Sequence, residues 1–570
     1  MADKPTISVE NQPLGQSAMV GSPYEGASRI NRETALWSPS IRSADDDLKH
    51  DKVMLDARGR DLARNDAYVA GAVATHKDSI VGSFFLLNAN PNNRVLKAVS
   101  KSFDDTWSEE FQAEVEAKFH LWAESPDNWP DAGRHNTLTG LVRMAVGVYT
   151  VAGEVLATAE WLREEGRPYR TALQMIDLDR LSNPQGMDDT LYLRQGVERN
   201  RYGAPIAYHI RMTHPFSTYM GQDNFSWKRV PVRKPWGRAQ VIHILEQQRP
   251  DQTRGVAEMV SALKSMKMTQ KFRDIVLQNA VVNATYAAAI ESELPPAEAY
   301  AQIGGDSGMP QAIETYLSGL STYVGSSRNL HIDGVKIPHL YPGTKLKLLN
   351  AGQPGGVGTV FEESLLRHIA AGTGLSYEQL ARDYSKSNYS SARASMLETW
   401  KGMQARKKLV ADRFASHVYA LWLEEAIARG DVPLPAGLTR DFFYQGQNKD
   451  AMCAATWIGA NRGQIDELKE TQAAVMRIRA GLSTYEDEMS RMGKDWRVVF
   501  AQAAKEKRIM EEMGLDFNAD PSKSSGLGGG GVRDEKKPGS DVGRLGPGSQ
   551  NTPQDTGDEE PEETEDDDAE

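Results

Sequence analysis

The chain has 570 residues, 40% of them hydrophobic and 25% charged, which suits about two or three soluble domains and excludes a disordered or fibrous chain. No apolar run approaches the roughly 18 residues that span a bilayer. The first residues show no basic stretch followed by an apolar core, so no secretory signal is expected, and the single cysteine, Cys453, excludes an intrachain disulfide and fits a reducing compartment. The formal charge of −12 belongs to the C-terminal tail: residues 551–570 carry eleven acids and no base, which leaves 67 of the 78 acids against 66 bases. The body is therefore neither a basic nucleic-acid binder nor a globally acidic protein. A protein that neutralises many phosphates grips DNA with a strong salt dependence, and a near-neutral body does not work in that way.

Residues 1 to about 28 are polar, with Pro, Gly and Ser and little periodicity, the composition of a flexible arm. From Asp46 to Leu87 the pattern is helical, with Leu62, Tyr68, Val69, Val73 and Ile80 near helical spacing and Gly82 ending the run. A second helix is expected over 107–123, where Trp107, Phe111, Val115, Phe119 and Trp122 form one stripe. A third runs from Leu138 into Val151 and is interrupted at Gly153. Thr171–Asp177 and Leu191–Val197 have β-type composition, and residues 196–212 read as a hairpin around Asn200–Gly203. Val241–Leu245 is a short buried strand, in which His243 is expected to be an ordinary sheet histidine.

Residues 256–290 read as a long helix with a broad apolar stripe that includes Met259, Leu263, Met266, Phe272, Ile275 and Leu277. Lys264, Lys267, Lys271 and Arg273 lie among and beside it. Residues 295–350 are rich in Gly, Ser and short β-like pieces. A short helix from Phe361 is followed by the polar loop 383–391, whose lone cation is Lys386. The longest helix, 392–430, carries Met396, Trp400, Met403, Val410, Phe414, Val418, Leu421 and Trp422 on its stripe; Gly430 caps it and Pro433 and Pro435 bar its continuation. Residues 464–515 are helical again, broken near Gly481 and Gly493. From about 516 onward the chain cannot bury enough apolar surface to fold alone.

The chemistry-bearing motifs are weak. Gly305, Asp306, Ser307 and Gly308 repeat the tetrapeptide around the nucleophile of one class of serine protease, but the helical context and the missing upstream His and Asp argue for a plain loop. The glycine-rich stretch Gly352–Gly358 lacks the Lys-Ser or Lys-Thr that a phosphate-binding loop needs. His135, His209, His214, His331 and His339 are scattered, without metal-ligand spacing. Arg382, Lys386, Asn388 and Arg393 could touch phosphate, Lys as a point charge and Asn as a donor, with an ordinary solvated loop as the bland alternative. No catalytic residue, cofactor or metal is expected.

The segment from Gly372 through Glu398, GTGLSYEQLARDYSKSNYSSARASMLE, resembles the signature of the lambda-type tailed-phage portal proteins, a family of ring-shaped DNA conduits. Other pieces resemble the family in the same order: Arg60–Tyr68 with Ile80–Gly82, Gly196–Glu198 with Tyr202–Ile210, Arg249–Gly255, Trp457–Gly459, and Met476–Glu488. The likeness spans about 45–515 and departs at about 291–335, which is longer and richer in Gly and Ser, and in the terminal tail.

The resemblance implies an α+β, mainly helical portal fold assembled as a homo-dodecameric ring with wing, stem, clip and crown regions. It implies a flexible arm at 1–45, a wing region at 46–255, stem helices at 256–290 and 360–372, and a clip at 291–359. A tunnel loop would follow at 373–391, a wing helix and following segment at 392–456, a crown or its base at 457–515, and an unstructured tail at 516–570. Arg382, Lys386, Asn388, Tyr389 and Arg393 would face double-stranded DNA, and a ring would repeat Lys386 into a collar of modest positive charge. The implied partners are the terminase large subunit, the major capsid protein and scaffold, and head-tail connector proteins. The implied location is the capsid vertex of the virion, and the host cytoplasm during assembly. The alternative from another class is an enzyme acting on nucleic acid or peptide through an unrecognised site.

Overall fold

The computed structural model describes residues 25–27, 32–34, 36–218, 225–286, 318, 330–332, 335–337, 357–435, 437–438, 440–461 and 467–513. The tetrapeptide 305–308, residues 352–356, His339, most of the 291–335 departure, nearly all of the arm before residue 32 and the tail after 513 lie outside them. The chain divides into two compact units, Met1–Val499 and Phe500–Glu570. Among the described residues no helix is long and apolar enough to cross a membrane.

Three helices open the first unit: α1 (Ala44–Lys49), α2 (Lys52–Asn65) and α3 (Ala67–Ile80). Asp66 separates the last two by accepting from the amides of Tyr68 and Val69 at 3.0 and 3.1 Å, an N-cap that satisfies donors left over at the helix start. The run expected to stay helical to Leu87 instead stops before Gly82, whose φ of +76° suits glycine, and Leu86–Ala89 forms strand β1. β1 pairs antiparallel with a strand nearly four hundred residues later, Ala455–Ile458, a long-range pairing that local periodicity cannot register. A short helix, α4 (Asn93–Leu96), leads to α5 (Asp105–Ala123), capped by Asp104, and then α6 (Leu138–Ala152), capped by Thr137. The α5 stripe of Trp107, Phe111, Val115, Phe119 and Trp122 is buried throughout, as its spacing indicates. Gly153 ends α6 at φ +77°, and a side chain there would collide with the backbone of Val256 and Ala257.

The sheets follow. β2 (Glu154–Trp161) lies between β3 (Thr171–Met175) and β8 (Val241–Leu245), both antiparallel. A four-stranded meander joins β4 (Leu193–Arg194), β5 (Val197–Arg199), β6 (Pro205–Arg211) and β7 (Trp227–Pro231), and the β5–β6 pair is the hairpin expected around Asn200–Gly203. α6 and the later long helix cover the three-stranded sheet, so β2 is buried over most of its length.

α7 (Leu263–Tyr286) follows a 3-10 turn at Glu258–Ala262, where the sequence pattern reads as one continuous helix. Its stripe splits: Met259, Leu263 and Met266 are buried, whereas Ile275 and Leu277 are exposed. β9 (Leu330–Ile332) and β10 (Val335–Ile337) form an antiparallel hairpin. Then come α8 (Val357–Thr373), α9 (Tyr377–Ala381) and α10 (Tyr389–Arg406). The expected single helix to Gly430 is interrupted by a π-helical stretch at Lys407–Asp412 before α11 (Arg413–Arg429), which Gly430 caps at φ +79°. The extra residue in that turn goes with a buried lysine: Lys407 Nζ donates to the Trp457 carbonyl at 2.8 Å and to Asp412 at 2.7 Å. α12 (Asn448–Met452) precedes β11 (Ala455–Ile458), and α13 (Glu467–Arg479), α14 (Tyr485–Arg491) and α15 (Trp496–Met513) complete the described chain, with breaks at Gly481 and Gly493.

One core runs from α3 through α5, α6 and α11 to β11, centred on Phe119, Trp122, Tyr419, Trp422 and Trp457. A smaller one, around Leu178, Leu181, Tyr208 and Ile210, lies beneath the meander. Between the two lies a buried polar hub. Glu154 takes bonds from Arg254, from His243 at 3.1 Å and from the Gly255 amide at 2.8 Å, with Lys52 3.3 Å away. His243 also meets the Tyr208 hydroxyl at 3.2 Å, so it is a structural sheet histidine.

Candidate functional site

The candidate site is the turn by which α8 reverses into α10. α8 ends at Gly374, held at φ +67°, and the Arg406 guanidinium occupies the space that a side chain at Gly374 would need. Ser376 starts α9 with a reciprocal cap: its hydroxyl accepts from the Gln379 amide, and the Gln379 side chain accepts from the Ser376 amide. Helix α9 therefore occupies part of the 373–391 stretch that the resemblance implies to be a tunnel loop. It stops at Arg382, a non-glycine residue at φ +54°. Asp383 then accepts from the Ser385 amide at 3.0 Å, and Ser387 closes a turn onto the Tyr384 carbonyl. Asn388 starts α10, accepting from the Ser391 amide at 2.8 Å while its own amide donates to Ser391 Oγ at 3.1 Å.

The turn doubles back along α8. Lys386 at its tip pairs with Glu363, in the first half of α8, and Glu363 also lies 3.3 Å from Arg367 one turn along. Arg367 in turn stacks over the Tyr377 ring, 5.1 Å from its centroid. The hydrogen bond from Lys386 holds the Glu363 carboxyl below its usual range, and the same bond raises the Lys386 ammonium. The Asp383 carboxyl is lowered by its bonds to Ser385. At the C-terminal end of α10 Arg406 pairs with Glu258, which ties α10 to the 3-10 turn that precedes α7.

The five residues singled out from the sequence are not brought together as a free cationic surface. Lys386 is exposed, at 65% of its side-chain area, yet ion-paired. Arg393 lies 3.8 Å from Glu470 of α13. Asn388 spends its carbonyl oxygen on the helix cap, and Arg382 ends α9. Tyr389 is the first residue of α10; its side chain lies outside the described residues. Glu363, Arg367 and Glu470 were not singled out in the sequence. The i, i+4 spacing of Glu363 and Arg367 is a legible helical pair, but the partnership of Glu363 with Lys386 depends on the chain reversal.

Two further places have the chemistry of a site. A cleft of 1250 Å³ runs between α10, β11 and α13–α14, with Arg393, Trp400, Lys407, Glu470, Arg477 and Glu488 on its walls. Asp177, Asp179 and His214 bring potential metal-ligand atoms within 4.8 Å of one another. Arg60 already lies between those carboxylates, 2.7 Å from Asp179 and 3.5 Å from Asp177, and supplies the cation itself.

The chain is thus a mainly helical α+β body in which a polar turn joins α8 to α10. Residues 30–407 match the family described as phage portal protein, lambda family, and the chain belongs to that family. It is 39% identical over 482 residues to the portal protein of Escherichia phage N15, covering 84% of this chain and 88% of that protein. It is 37% identical over 515 residues to portal protein B of Escherichia phage lambda, covering 90% and 94%. Among solved structures, a chain from the virion of a native gene transfer agent particle is similar at 13% identity and a TM-score of 0.36, over 79% of this chain and 91% of that one.

Proposed function

We propose that this chain forms a dodecameric ring at the unique vertex of a phage capsid. There it nucleates procapsid assembly and admits double-stranded DNA during packaging. It docks the terminase large subunit, then the head-tail connector proteins, and lets the DNA out at ejection. The observation that carries this reading is the near full-length likeness to two phage portal proteins, at 39% and 37% identity. We take the role to be mechanical, with no reaction catalysed by this chain; the sequence offers no phosphate-binding lysine loop that a motor of its own would need.

In this reading 256–290, which holds α7, and 360–372, within α8, are the stem, 291–359 the clip, 373–391 the tunnel loop, and 457–515 the crown or its base. Side-by-side packing of the two stem helices supports that part: the Phe272 and Phe361 rings meet at 5.4 Å, and Arg273 lies 3.9 Å from Glu362. Arg273 also bonds Asp66 at 2.8 Å, so the cap of α3 anchors the stem to the body. Lys386 and Arg393, with Arg382, Asn388 and Tyr389 beside them, are the positions proposed to face DNA.

Electron microscopy of the purified protein, paired with native mass spectrometry, tests the proposal. Closed dodecameric rings are expected, with an axial hole that admits a duplex whose major groove alone is about 12 Å wide. A monomer or dimer that persists under assembly conditions would overturn it.

A further inference from the structure

Around the Lys386 ammonium the charges are paired before anything binds. Lys386 and Arg367 are positive, and Glu363, which both of them contact, is negative. Asp383, whose charge also acts on Lys386, supplies the second negative. The pattern recurs at the other candidate phosphate contact, where Arg393 is held by Glu470 on a different helix. A ring of these subunits would thus present Lys386 and Arg393 already paired with carboxylates, in place of the positive collar that Lys386 by itself would give.

We infer that Glu363 is an intramolecular stand-in for a DNA phosphate: it holds the Lys386 ammonium while no backbone oxygen is in reach and yields it as one passes. The inference rests on the DNA-conduit reading above and adds to it the residue that sets how hard the ring grips. The physical reason is the near-equality of the two bound states. A carboxylate and a phosphodiester each offer an ammonium one negative charge and two oxygen acceptors. An ion pair at the surface, as Lys386–Glu363 is, contributes little net stability because water screens it. Exchange of one partner for the other therefore costs little, and the net attraction per subunit is a small difference. An unpaired lysine would instead release a condensed counterion for each phosphate it met, and a ring of them would hold the duplex in a salt-dependent grip. Glu363 suits the part by position as well: it sits on α8, 23 residues before Lys386, on a rigid element against which the turn folds.

The test uses full-length rings of wild type, E363Q, K386Q, and the double variant E363Q/K386Q. Their affinity for a linear duplex is read by fluorescence anisotropy over about 50 to 200 mM salt. E363Q is expected to bind about tenfold or more tightly at the lowest salt, with a salt slope steeper by about 0.9 for each phosphate newly engaged. K386Q should bind more weakly than wild type, and the double variant should lose the gain. The charge-swapped pair, Glu363→Lys with Lys386→Glu, keeps the ion pair but removes the loop's cation, so it should bind as K386Q does. The inference fails if E363Q rings match wild type in affinity and slope, if the gain survives in the double variant, or if the swapped pair behaves as wild type, since that marks a purely structural bridge. Should E363Q rings not assemble, the swapped pair and K386Q decide by the same criteria. Rings that bind or enclose no duplex in any variant, or the absence of rings, would sink the conduit reading itself; wild-type rings that take DNA indifferently to all these changes would sink only this inference.

Discussion

Glu154, the first residue of β2, is joined to Arg254, a hundred residues later, by two contacts of 2.8 and 2.7 Å to the same carboxylate oxygen. The pair has almost no solvent exposure, and it links the central strand to the segment that leads into α7. Arg254 Nη1 also donates to the carbonyls of Leu181 and Gln195, and Nη2 to that of Leu178, so one guanidinium fastens β2, the 178–181 turn and Gln195 together. Burial by itself would raise the Glu154 carboxyl, but Arg254 and Lys52, with the bond from His243, hold it well below the ordinary range.

Replacing Glu154 with Gln should therefore destabilise strongly. It leaves the buried Arg254 charge without its counter-ion, while Lys52 keeps Asp56 at 2.8 Å, a loss of about 3–5 kcal/mol. Urea unfolding of the variant beside wild type measures it; a shift below about 1 kcal/mol would show that the hub is not a buried ion pair in solution. The stabilisation is present at pH values above a carboxylate's ordinary 4.5 and is lost as the pH falls through the lower folded value.

Glu116 carries the opposite sign. Burial pushes its carboxyl up to about 7, against the bond from the Ala89 amide at 2.8 Å and the Arg497 guanidinium 3.3 Å away. An acid whose folded pKa exceeds its unfolded one binds more protons when folded. Its contribution to stability is then full below about 4.5 and lost as pH rises through about 7. Wild type should lose stability across that window by up to ~1.4 kcal/mol per pH unit from this group. E116Q keeps a carbonyl oxygen for Ala89 and removes the titration, so its profile should be flatter. Superimposable pH profiles of the two proteins would rule the assignment out.

Phe119 is the hinge of the aromatic core. Its ring meets Trp422 at 5.2 Å, Tyr419 at 5.5 Å and Trp122 at 5.6 Å, and it is 2% exposed. Phe119→Ala opens a cavity between α5 and α11 and should cost about 3–5 kcal/mol. Phe119→Leu, which retains most of the volume, should cost appreciably less, and equal losses for the two would argue against a packing origin.

Shortening the tip at 384–390 should leave ring assembly intact while impairing DNA packaging or retention. The segment contributes little to the core: Tyr384, Ser385 and Lys386 are exposed, the first two bonded within their own turn and Lys386 to Glu363. Counting intact rings by microscopy and packaged genomes by nuclease protection separates the two effects. Normal packaging and retention would remove the tip from the mechanism.

Much of the element order was legible because it is local. The stripe of α5 repeats every three or four residues, Gly153 and Gly430 end helices in a backbone conformation that favours glycine, and the β5–β6 hairpin closes over a few residues. What was missed is non-local. β1 is four residues that become a strand through pairing with Ala455–Ile458. The π-helical stretch at Lys407–Asp412 goes with a lysine whose acceptor, the Trp457 carbonyl, lies fifty residues on.

The candidate site divides in the same way. The sequence alone determined that a polar turn with one lysine separates two helices, that the body is close to neutral, and that its wording belongs with the lambda-type portals. Each of these depends on residue order or on a sum over residues. Tertiary structure alone decided that Lys386 meets Glu363 and Arg393 meets Glu470, and that the side chain of Asn388 caps a helix. Electrostatic interaction depends on distance in space, and the reversal of α8 into α10 sets those distances. A count of charges cannot distinguish a free cation from one already held by a carboxylate.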